Sequence, residues 1–309
     1  MSAAIITEQM LKEMTANNPM NGLIMCRDYS IELTKTGKEY IKGTLYSGIS
    51  VPFKCWGDST AFTELKNNNY KGLPVYIVST VDEYKGSFSL TVSTMQAINE
   101  EDIDKSIFMP TKYDKEGYWN ALYNLFVSNV SPACKAILDT IMTPELKEDF
   151  CMEFAAVSHH DNCKSGLLAH TYKVMVNLNY LLAAYPTLAT DQSFKDVLFL
   201  GTFLHDIGKT NEMELGVWQE NGFVTHRYFG IEYIFPLKQD IINALGEKNY
   251  YNLVSIITQH HGKFAEPCGS LAAYIVHYVD CMDSTFTTIL EAMADNKDKV
   301  RIDEQNLNF

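Results

Sequence analysis

The spacing of apolar residues changes once along this chain of 309 residues, and that change constrains the fold more than any other feature. Before residue 98, apolar and polar residues alternate in short segments, as in β-strands with one buried face. From Gly117 onward, apolar residues recur with helical spacing. Residues 99–116 are acidic, contain Pro110 and show neither period. The sequence therefore predicts an α+β multidomain protein, in which a β unit and an all-α unit are joined by a linker.

The β unit is expected to span residues 22–98, after an N-terminal extension of residues 1–21. Turn signals separate five candidate strands, and a short candidate helix near residues 59–67 lies between the third and the fourth. The strands are predicted near residues 22–33, 39–46, 49–56, 73–82 and 87–95. Five strands with a helix at that position match the order of an OB-fold, a five-stranded β-barrel.

Outward-facing residues on the second and third candidate strands suggest a ligand for this barrel. Alternation places Tyr40, Lys42 and Tyr46 on one face of the second strand. Lys54 and Trp56 face outward on the third. On adjoining strands that bind single-stranded nucleic acid, aromatic side chains typically stack on the bases and basic side chains neutralise the phosphates. These five residues are predicted to bind nucleic acid; the alternative is that Trp56 packs on the helix and the tyrosines are ordinary strand residues.

The helical unit is predicted to span residues 117–309, and it contains all eight histidines. Candidate helices lie near residues 117–129, 131–142, 144–157, 166–184, 192–208, 228–245, 249–261 and 269–295. Because the first 158 residues contain no histidine, the chemistry is expected in this unit.

Metal-capable residues lie on or at the ends of its apolar helices. His205 and Asp206 end an apolar helix just before Gly208, and His260 and His261 end another. An ionised aspartate at the end of an apolar helix needs a compensating charge, which a bound cation supplies. The full set of candidate metal ligands is His170, His205, Asp206, His226, His260, His261 and Asp280.

The composition of this set predicts two divalent ions. Imidazoles mixed with carboxylates, without thiolates, suit Mn²⁺, Fe²⁺, Co²⁺ or Zn²⁺ better than Ca²⁺ or Mg²⁺ alone. Mn²⁺ is the expected metal, and Mg²⁺ remains an alternative beside the others. Seven ligands are too many for one ion. Asp206 is expected to bridge two ions, with His170, His205 and Asp280 on one and the remaining three histidines on the other.

Two such ions would lower the pKa of a shared water and stabilise charge on a phosphoryl group. Asp206 and Lys209 are the predicted catalytic residues. Lys209 lies about one turn beyond His205, where it could hold a phosphate oxygen. The alternative interpretation is that Lys209 is a solvated lysine at the end of a helix, where the helix dipole favours a positive charge. Single histidines are more often packed core residues, and His159, His160 and His277 are interpreted as supporting the ligands.

Charge and cysteine content exclude several classes of protein. The net charge of −13 opposes strong nonspecific binding to nucleic acid, although residues 22–98 carry eight basic and seven acidic residues, or +1. The seven cysteines form no C-x-x-C pair, which argues against disulfides and a thiolate zinc site. The apolar run around Val197 to Leu204 is too short to span a bilayer, and the N-terminus lacks the apolar core of a secretory signal. A cytoplasmic protein with no membrane partner is expected.

The order His170, His205-Asp206 and Asp280 resembles the HD phosphohydrolase superfamily. His226, His260 and His261 add the ligands of its two-metal members. An OB-fold before an HD domain further resembles the YhaM-type 3′→5′ exoribonucleases of Gram-positive bacteria. The likeness rests on Lys54-Cys-Trp-Gly-Asp58, Tyr84-Lys-Gly-Ser-Phe-Ser-Leu90, His159-His160, Ser165-Gly-Leu-Leu-Ala-His170, Leu204-His-Asp-Ile-Gly-Lys209, Gln259-His-His-Gly262 and His277-Tyr-Val-Asp280-Cys-Met-Asp283.

Two positions depart from that pattern. Thr225 stands where a glycine is expected before His226, and Ala272 and Ala273 stand where an acidic residue is expected. The ligands themselves are kept, so these departures bear on the details of the substrate site.

The resemblance implies a metal-dependent 3′→5′ exonuclease that hydrolyses single-stranded RNA, with DNA left open. One alternative is an HD phosphodiesterase that acts on small or cyclic nucleotides, with the barrel serving assembly or regulation. Another is a nucleic-acid-binding protein without activity. A homo-oligomer is compatible with the sequence but not required by it.

Overall fold

The computed structural model describes residues 4–98, 103–110, 112–156, 161–219, 223–294, 298–302 and 305–308. The chain divides into two compact units, Met1–Pro110 and Thr111–Phe309. Each unit has its own hydrophobic core. The first is a closed five-stranded barrel and the second is helical, so the predicted fold class is confirmed.

The barrel strands follow one another in the order β1-β2-β3-β5-β4. The barrel closes where β3 and β5 pair in parallel, while the other pairs are antiparallel. A helix, α2, lies between β3 and β4 as predicted, and its first turn is capped by the Ser59 hydroxyl, which accepts from the Phe62 amide at 3.1 Å. The elements are α1 Glu8–Lys12, β1 Gly22–Leu33, β2 Glu39–Ser47, β3 Ile49–Trp56, α2 Thr60–Asn67, β4 Leu73–Tyr84 and β5 Ser87–Ala97.

The N-terminal segment belongs to the barrel rather than extending from it. Ile6, Leu11 and Met20 are buried in the barrel core. The Ile6 amide donates to the Leu23 carbonyl at 2.9 Å, which ties the segment to β1. A five-residue helix is too short to show a period in sequence, and this explains why its packing was not anticipated.

Ten helices form the described part of the second unit. Their starts follow local sequence rules: Pro132 and Pro144 occupy first turns, and Ser131 and Thr143 cap them. The helices are α3 Lys115–Val127, α4 Pro132–Ile141, α5 Pro144–Met152, α6 Gly166–Ala184, α7 Gln192–Leu204, α8 Lys209–Glu212, α9 His226–Ile234, α10 Lys238–Leu245, α11 Glu247–Gln259 and α12 Leu271–Ala294.

The second unit departs from the predicted helices in four places. The helix expected over 144–157 ends at Met152. The helix expected over 192–208 ends at Leu204, and a short turn separates it from α8. The helix expected over 228–245 is divided by a 3-10 turn, Phe235–Leu237, because Pro236 cannot continue an α-helix. The unit is also not wholly helical, since it contains two hairpins, β6 Met213–Glu214 with β7 Val217–Trp218 and β8 Lys299–Ile302 with β9 Gln305–Asn308. These strands are too short for a two-residue period to stand out.

Close contacts between helices bring the ends of α7 and α9 to the same place. A Cβ at Gly201 would lie 2.4 Å from Ile256 Cδ1, so α7 and α11 approach closely here. A Cβ at Gly208 would lie 1.9 Å from the His226 carbonyl oxygen. The start of α9 therefore rests on the backbone that follows Asp206. Among the described residues, no helix combines the length and apolar character needed to cross a bilayer.

Candidate metal centre

The seven predicted ligands come from five helices of the second unit. His170 lies in α6, His226 begins α9, and Asp280 lies in α12. The others follow directly on helix ends: His205 and Asp206 after α7, and His260 and His261 after α11. His170, His205, Asp206, His226 and His260 are buried, whereas His261 and Asp280 are partly exposed.

Asp206 lies at the centre of this set, with one carboxylate oxygen facing each half. Its Oδ2 is 3.4 Å from His205 Nε2 and 3.7 Å from His170 Nε2. Its Oδ1 is 3.5 Å from His226 Nε2 and 3.4 Å from His260 Nε2. A carboxylate placed in this way can bridge two cations.

The remaining two ligands extend the halves. Asp280 Oδ1 is 3.2 Å from His170 Nε2, and His261 Nε2 is 3.1 Å from His226 Nε2. The ligand atoms of Asp206, His226, His260 and His261 all lie within 4.8 Å of one another, and so do those of His170, His205 and Asp206. Each half is therefore compact enough to surround one ion.

The polar atoms at this centre fit a divalent cation better than they fit one another. Asp206 Oδ1 and His260 Nε2 are buried and have no hydrogen-bond partner among the described residues. Leaving such atoms unpaired costs about 1–3 kcal/mol each. Coordination to a cation would remove that cost, so the donor set fits a divalent metal ion.

The second nitrogen of each buried histidine is held by a group on the far side from Asp206. His205 Nδ1 donates to the Thr202 carbonyl at 2.8 Å, and His260 Nδ1 to the Ile257 carbonyl at 3.1 Å. Because these bonds fix the proton on Nδ1, Nε2 keeps its lone pair toward the centre.

Two buried carboxylates hold Nδ1 of the other two buried histidines, and neither was assigned from sequence. Glu212 Oε2 lies 2.9 Å from His226 Nδ1. Asp283 Oδ2 lies 2.7 Å from His170 Nδ1. Asp283 carried a usable signal, because it is an acidic residue in an apolar helix, one turn beyond Asp280. Glu212 lies in a four-residue helix and had no comparable signal.

Protonation at the centre is uneven. Burial lowers the pKa of His205 to about 4 and that of His261 to about 3, so both are neutral near pH 7. Burial also opposes charge on His170, but hydrogen bonds to Asp280 and Asp283 outweigh it and raise the pKa of His170 to about 10. For Asp206, burial is outweighed by Lys209 and the imidazoles, which hold its pKa well below the ordinary value.

Lys209 contacts the central carboxylate. Its Nζ lies 2.6 Å from Asp206 Oδ2 and 2.7 Å from the Ala155 carbonyl. The lysine is thus part of the centre, while its contact with a phosphate oxygen stays a prediction. His277 Nδ1 donates to the His260 carbonyl at 2.6 Å, beside the ligands it was expected to support. His159 and His160 lie outside the described residues.

Four of the five predicted nucleic-acid-binding residues form one outward block on the barrel. Tyr40 pairs across the strands with Trp56, and Lys42 with Lys54. The two rings lie 5.5 Å apart between centroids, and Trp56 is 43% exposed. Lys42 Nζ lies 3.3 Å from Glu32 Oε1. These four residues, here called the barrel platform, offer stacking surface next to positive charge.

The prediction for Tyr46 is wrong. Tyr46 is only 1% exposed, and the Arg27 guanidinium lies over its ring at 4.3 Å. Near this end of β2 the Gly48 amide donates to the Phe108 carbonyl at 2.7 Å, and Phe108 is itself buried. Strict alternation treats one face of a strand as exposed. It fails here because the guanidinium of Arg27, from the neighbouring strand β1, covers the ring that alternation places outward.

A buried aspartate at the end of an apolar helix, shared by two groups of inward-facing histidines, is the centre of this site. Residues 167–285 match the HD domain family. Among curated proteins, the chain is similar to the 3′-5′ exoribonuclease YhaM of Listeria welshimeri, with 23% identity over 237 residues, and of Listeria innocua, with 22% over 232 residues. The Listeria monocytogenes protein of the same name is 23% identical over 237 residues. Each match covers 72% of this chain and 72% of the relative. Together these findings support a hydrolytic enzyme that is a metal-dependent phosphohydrolase.

Proposed function

We propose that this protein is a 3′→5′ exonuclease that hydrolyses single-stranded nucleic acid, with RNA as the preferred strand and Mn²⁺ as the preferred metal. The observation that carries the proposal is the position of Asp206, whose two oxygens face two separate histidine groups. Two divalent ions held there would supply an activated water and stabilise charge on the transferred phosphoryl group.

The chain's own residues prepare the centre for that chemistry. Thr202, Glu212, Ile257 and Asp283 fix the orientation of the four buried imidazoles. Lys209 holds Asp206 Oδ2 and is the nearest ammonium for a nonbridging phosphate oxygen. All four imidazoles and Asp206 are shielded from bulk water, which strengthens their interaction with a cation.

The barrel supports a polymer as the substrate. The barrel platform combines two neighbouring aromatic rings, tilted by 32° to each other, with two lysines, and stacking on aromatic rings tolerates any base. Acting on single strands without sequence preference suits an exonuclease. The relatives named as 3′-5′ exoribonucleases favour shortening from the 3′ end.

The test is a time course with Mn²⁺ and 5′-labelled single-stranded RNA, DNA or cyclic dinucleotides. RNA should shorten progressively from its 3′ end, and Asp206→Asn should slow this by at least about 1,000-fold. Asp240→Asn, on the exposed side of α10, is the matched control and should leave the rate unchanged. Turnover of cyclic dinucleotides alone would favour a small-nucleotide phosphodiesterase instead. RNA binding without turnover of any substrate, under every divalent metal tried, would leave a binding protein.

A further inference from the structure

Helix α12 carries a continuous apolar stripe on its exposed side. Every exposed position of Leu271–Ala294 is apolar, and no charged residue occurs among them. Apart from Ala294 at the end, each is a large side chain between 49% and 63% exposed. The α12 stripe consists of Leu271, Tyr274, Tyr278, Met282, Phe286, Leu290 and Met293.

The stripe faces away from the metal centre. Asp280 and Asp283 point inward from the same helix to His170. Tyr278 and Met282 each lie two residues from Asp280, which is about 200° around an α-helix. The helix contains no lysine or arginine, so the stripe lacks the positive charge that single-stranded nucleic acid requires. The stripe is therefore not a substrate surface of the site described above.

The spacing of the stripe is symmetric about Met282. The intervals along the chain are three, four, four, four, four and three residues. Two copies of α12 packed antiparallel about Met282 would bring each stripe residue opposite another stripe residue. Leu271 would meet Met293, Tyr274 would meet Leu290, and Tyr278 would meet Phe286. A patch that matches itself after a two-fold rotation is what a symmetric dimer needs.

The area of the stripe also fits a dimer. A large apolar side chain has a surface of about 200 Å², and the seven side chains of the stripe are about half exposed. Their exposed surface is therefore roughly 700 Å². A standard specific interface buries ~800 Å² on each partner. The net charge of −13 opposes association of two copies through most of their surface, and a stripe without charge avoids that repulsion.

A groove beside the stripe offers a place for a side chain of the second copy. The groove has a volume of about 340 Å³ and lies between α6 and α12, where Tyr172 and Val176 face Met282, Phe286 and Leu290. In the antiparallel arrangement the partner's Tyr278 lies opposite Phe286. An aromatic side chain that fills a pocket is the kind of contact that dominates interface energy.

From these observations we infer that the α12 stripe is a homodimer interface, in which two copies of this chain pack antiparallel about Met282. The inference is independent of the substrate and of the metal. It concerns residues that the proposed hydrolysis does not use.

Charge reversal on the two-fold axis tests the interface. The full-length protein should have twice the 35.0 kDa mass of one chain by light scattering at micromolar concentration. Met282→Glu alone and Met282→Lys alone should each be monomeric, because like charges then meet on the axis. An equimolar mixture of the two variants should recover the dimer. Tyr251→Glu, an equally exposed aromatic position on α11, is the matched control and should stay dimeric.

Each other result would overturn the inference. A monomeric wild-type protein would assign the stripe to a different partner, and a dimer that survives Met282→Glu would place the interface elsewhere. Circular dichroism checks that each variant is folded. If Met282→Glu does not fold, Leu290→Glu decides, since its carboxylate would lie against the partner's Tyr274.

Discussion

At the scale of single residues, the metal centre depends on keeping its ligands in different protonation states. His205 and His261 are held neutral by burial, whereas His170 is held as a cation by Asp280 and Asp283. A cation cannot bind a protonated imidazole. A bound metal ion would therefore displace a proton from His170 but none from His205 or His261.

Metal binding should accordingly release about one proton near neutral pH, from His170. The pKa of His170 is raised to about 10, so its interaction with the aspartates stabilises the metal-free protein fully below pH 6.5 and is lost as the pH rises through about 10. Apparent affinity for the ion at this ligand should rise about tenfold per pH unit below that value.

Isothermal titration with Mn²⁺ in two buffers of different ionisation enthalpy measures that proton. With one proton released, the two binding enthalpies should differ by the difference between the ionisation enthalpies of the two buffers. Equal enthalpies in both buffers would show that His170 is already neutral. Asp240→Asn, far from the ligands in sequence and exposed, serves as the control and should behave as the wild type does.

At the scale of elements, Gly208 sets the distance between the two halves of the centre. A Cβ at this position would lie 1.9 Å from the backbone oxygen of His226 and 2.6 Å from the amide of Gly230. Backbone atoms cannot rotate away as a side chain can. Gly208→Ala should therefore move α9, and His226 with it, away from Asp206.

We expect Gly208→Ala to lose one bound metal ion and most of the activity. Gly201→Ala is the matched comparison, since the atoms nearest its Cβ would belong to the Ile256 side chain. It should lower the free energy of unfolding by about 1–3 kcal/mol and keep both ions. The number of metal ions per chain, measured by mass spectrometry after gel filtration, distinguishes the two variants. Two ions retained by Gly208→Ala would contradict this view of α9.

The β6–β7 hairpin is held by the buried carboxylate of Glu153. Glu153 accepts hydrogen bonds from the amides of Phe154, Leu215 and Gly216 at 2.8, 2.9 and 2.7 Å. Burial nevertheless raises the pKa of Glu153 to about 7. Folding thus favours the protonated form of Glu153. The contribution of this form to the free energy of unfolding is fully present below pH 4.5 and is lost as the pH rises through about 7.

Glu153→Gln should remove this pH dependence. Relative to the variant, the wild-type protein should lose about 3 kcal/mol of unfolding free energy between pH 4.5 and 7. Chemical denaturation at a series of pH values, monitored by helical circular dichroism, measures the difference. Glu145→Gln, at an exposed position of α5, should follow the wild type. A constant difference across this range would mean that Glu153 is ionised throughout.

Sequence periodicity predicted elements well where they are long and one-sided. All five barrel strands and α2 occur where alternation and turn residues placed them. Periodicity failed for the hairpins and the α7 end, where the segments are short, and for Tyr46, which a residue of the neighbouring strand covers. Within the centre, the residues that come together could be predicted because histidines at helix ends are unusual; their role as metal ligands stays a prediction. Glu212 and Thr202 could not, since they act through contacts that only the packing of α8 and α7 creates.

At the scale of the whole molecule, binding and hydrolysis are assigned to different units. Trp56→Ala should weaken the binding of single-stranded RNA by about 1–3 kcal/mol, which raises the dissociation constant roughly 5- to 150-fold. Hydrolysis of bis-p-nitrophenyl phosphate should be unchanged, because that substrate is too small to need the barrel. Fluorescence anisotropy and a colorimetric rate measure the two.

Tyr84→Ala is the matched control for the barrel platform. Tyr84 is an exposed aromatic residue at the end of β4, apart from the Tyr40–Trp56 pair. It should leave both measurements as they are. If Trp56→Ala lowers both activities together, the assignment of separate tasks to the two units is incorrect.

The seven ligands also join parts of the chain that are far apart in sequence, from α6 to α12. An ion bound to several helices binds the folded chain and not the unfolded one, so the supply of metal sets the melting temperature. When the free metal ion is present at 100 times its dissociation constant, binding raises the free energy of unfolding by about 2.7 kcal/mol. A chelator should therefore lower the melting temperature of the helical unit while the barrel melts as before. Scanning calorimetry with and without EDTA would measure the two transitions.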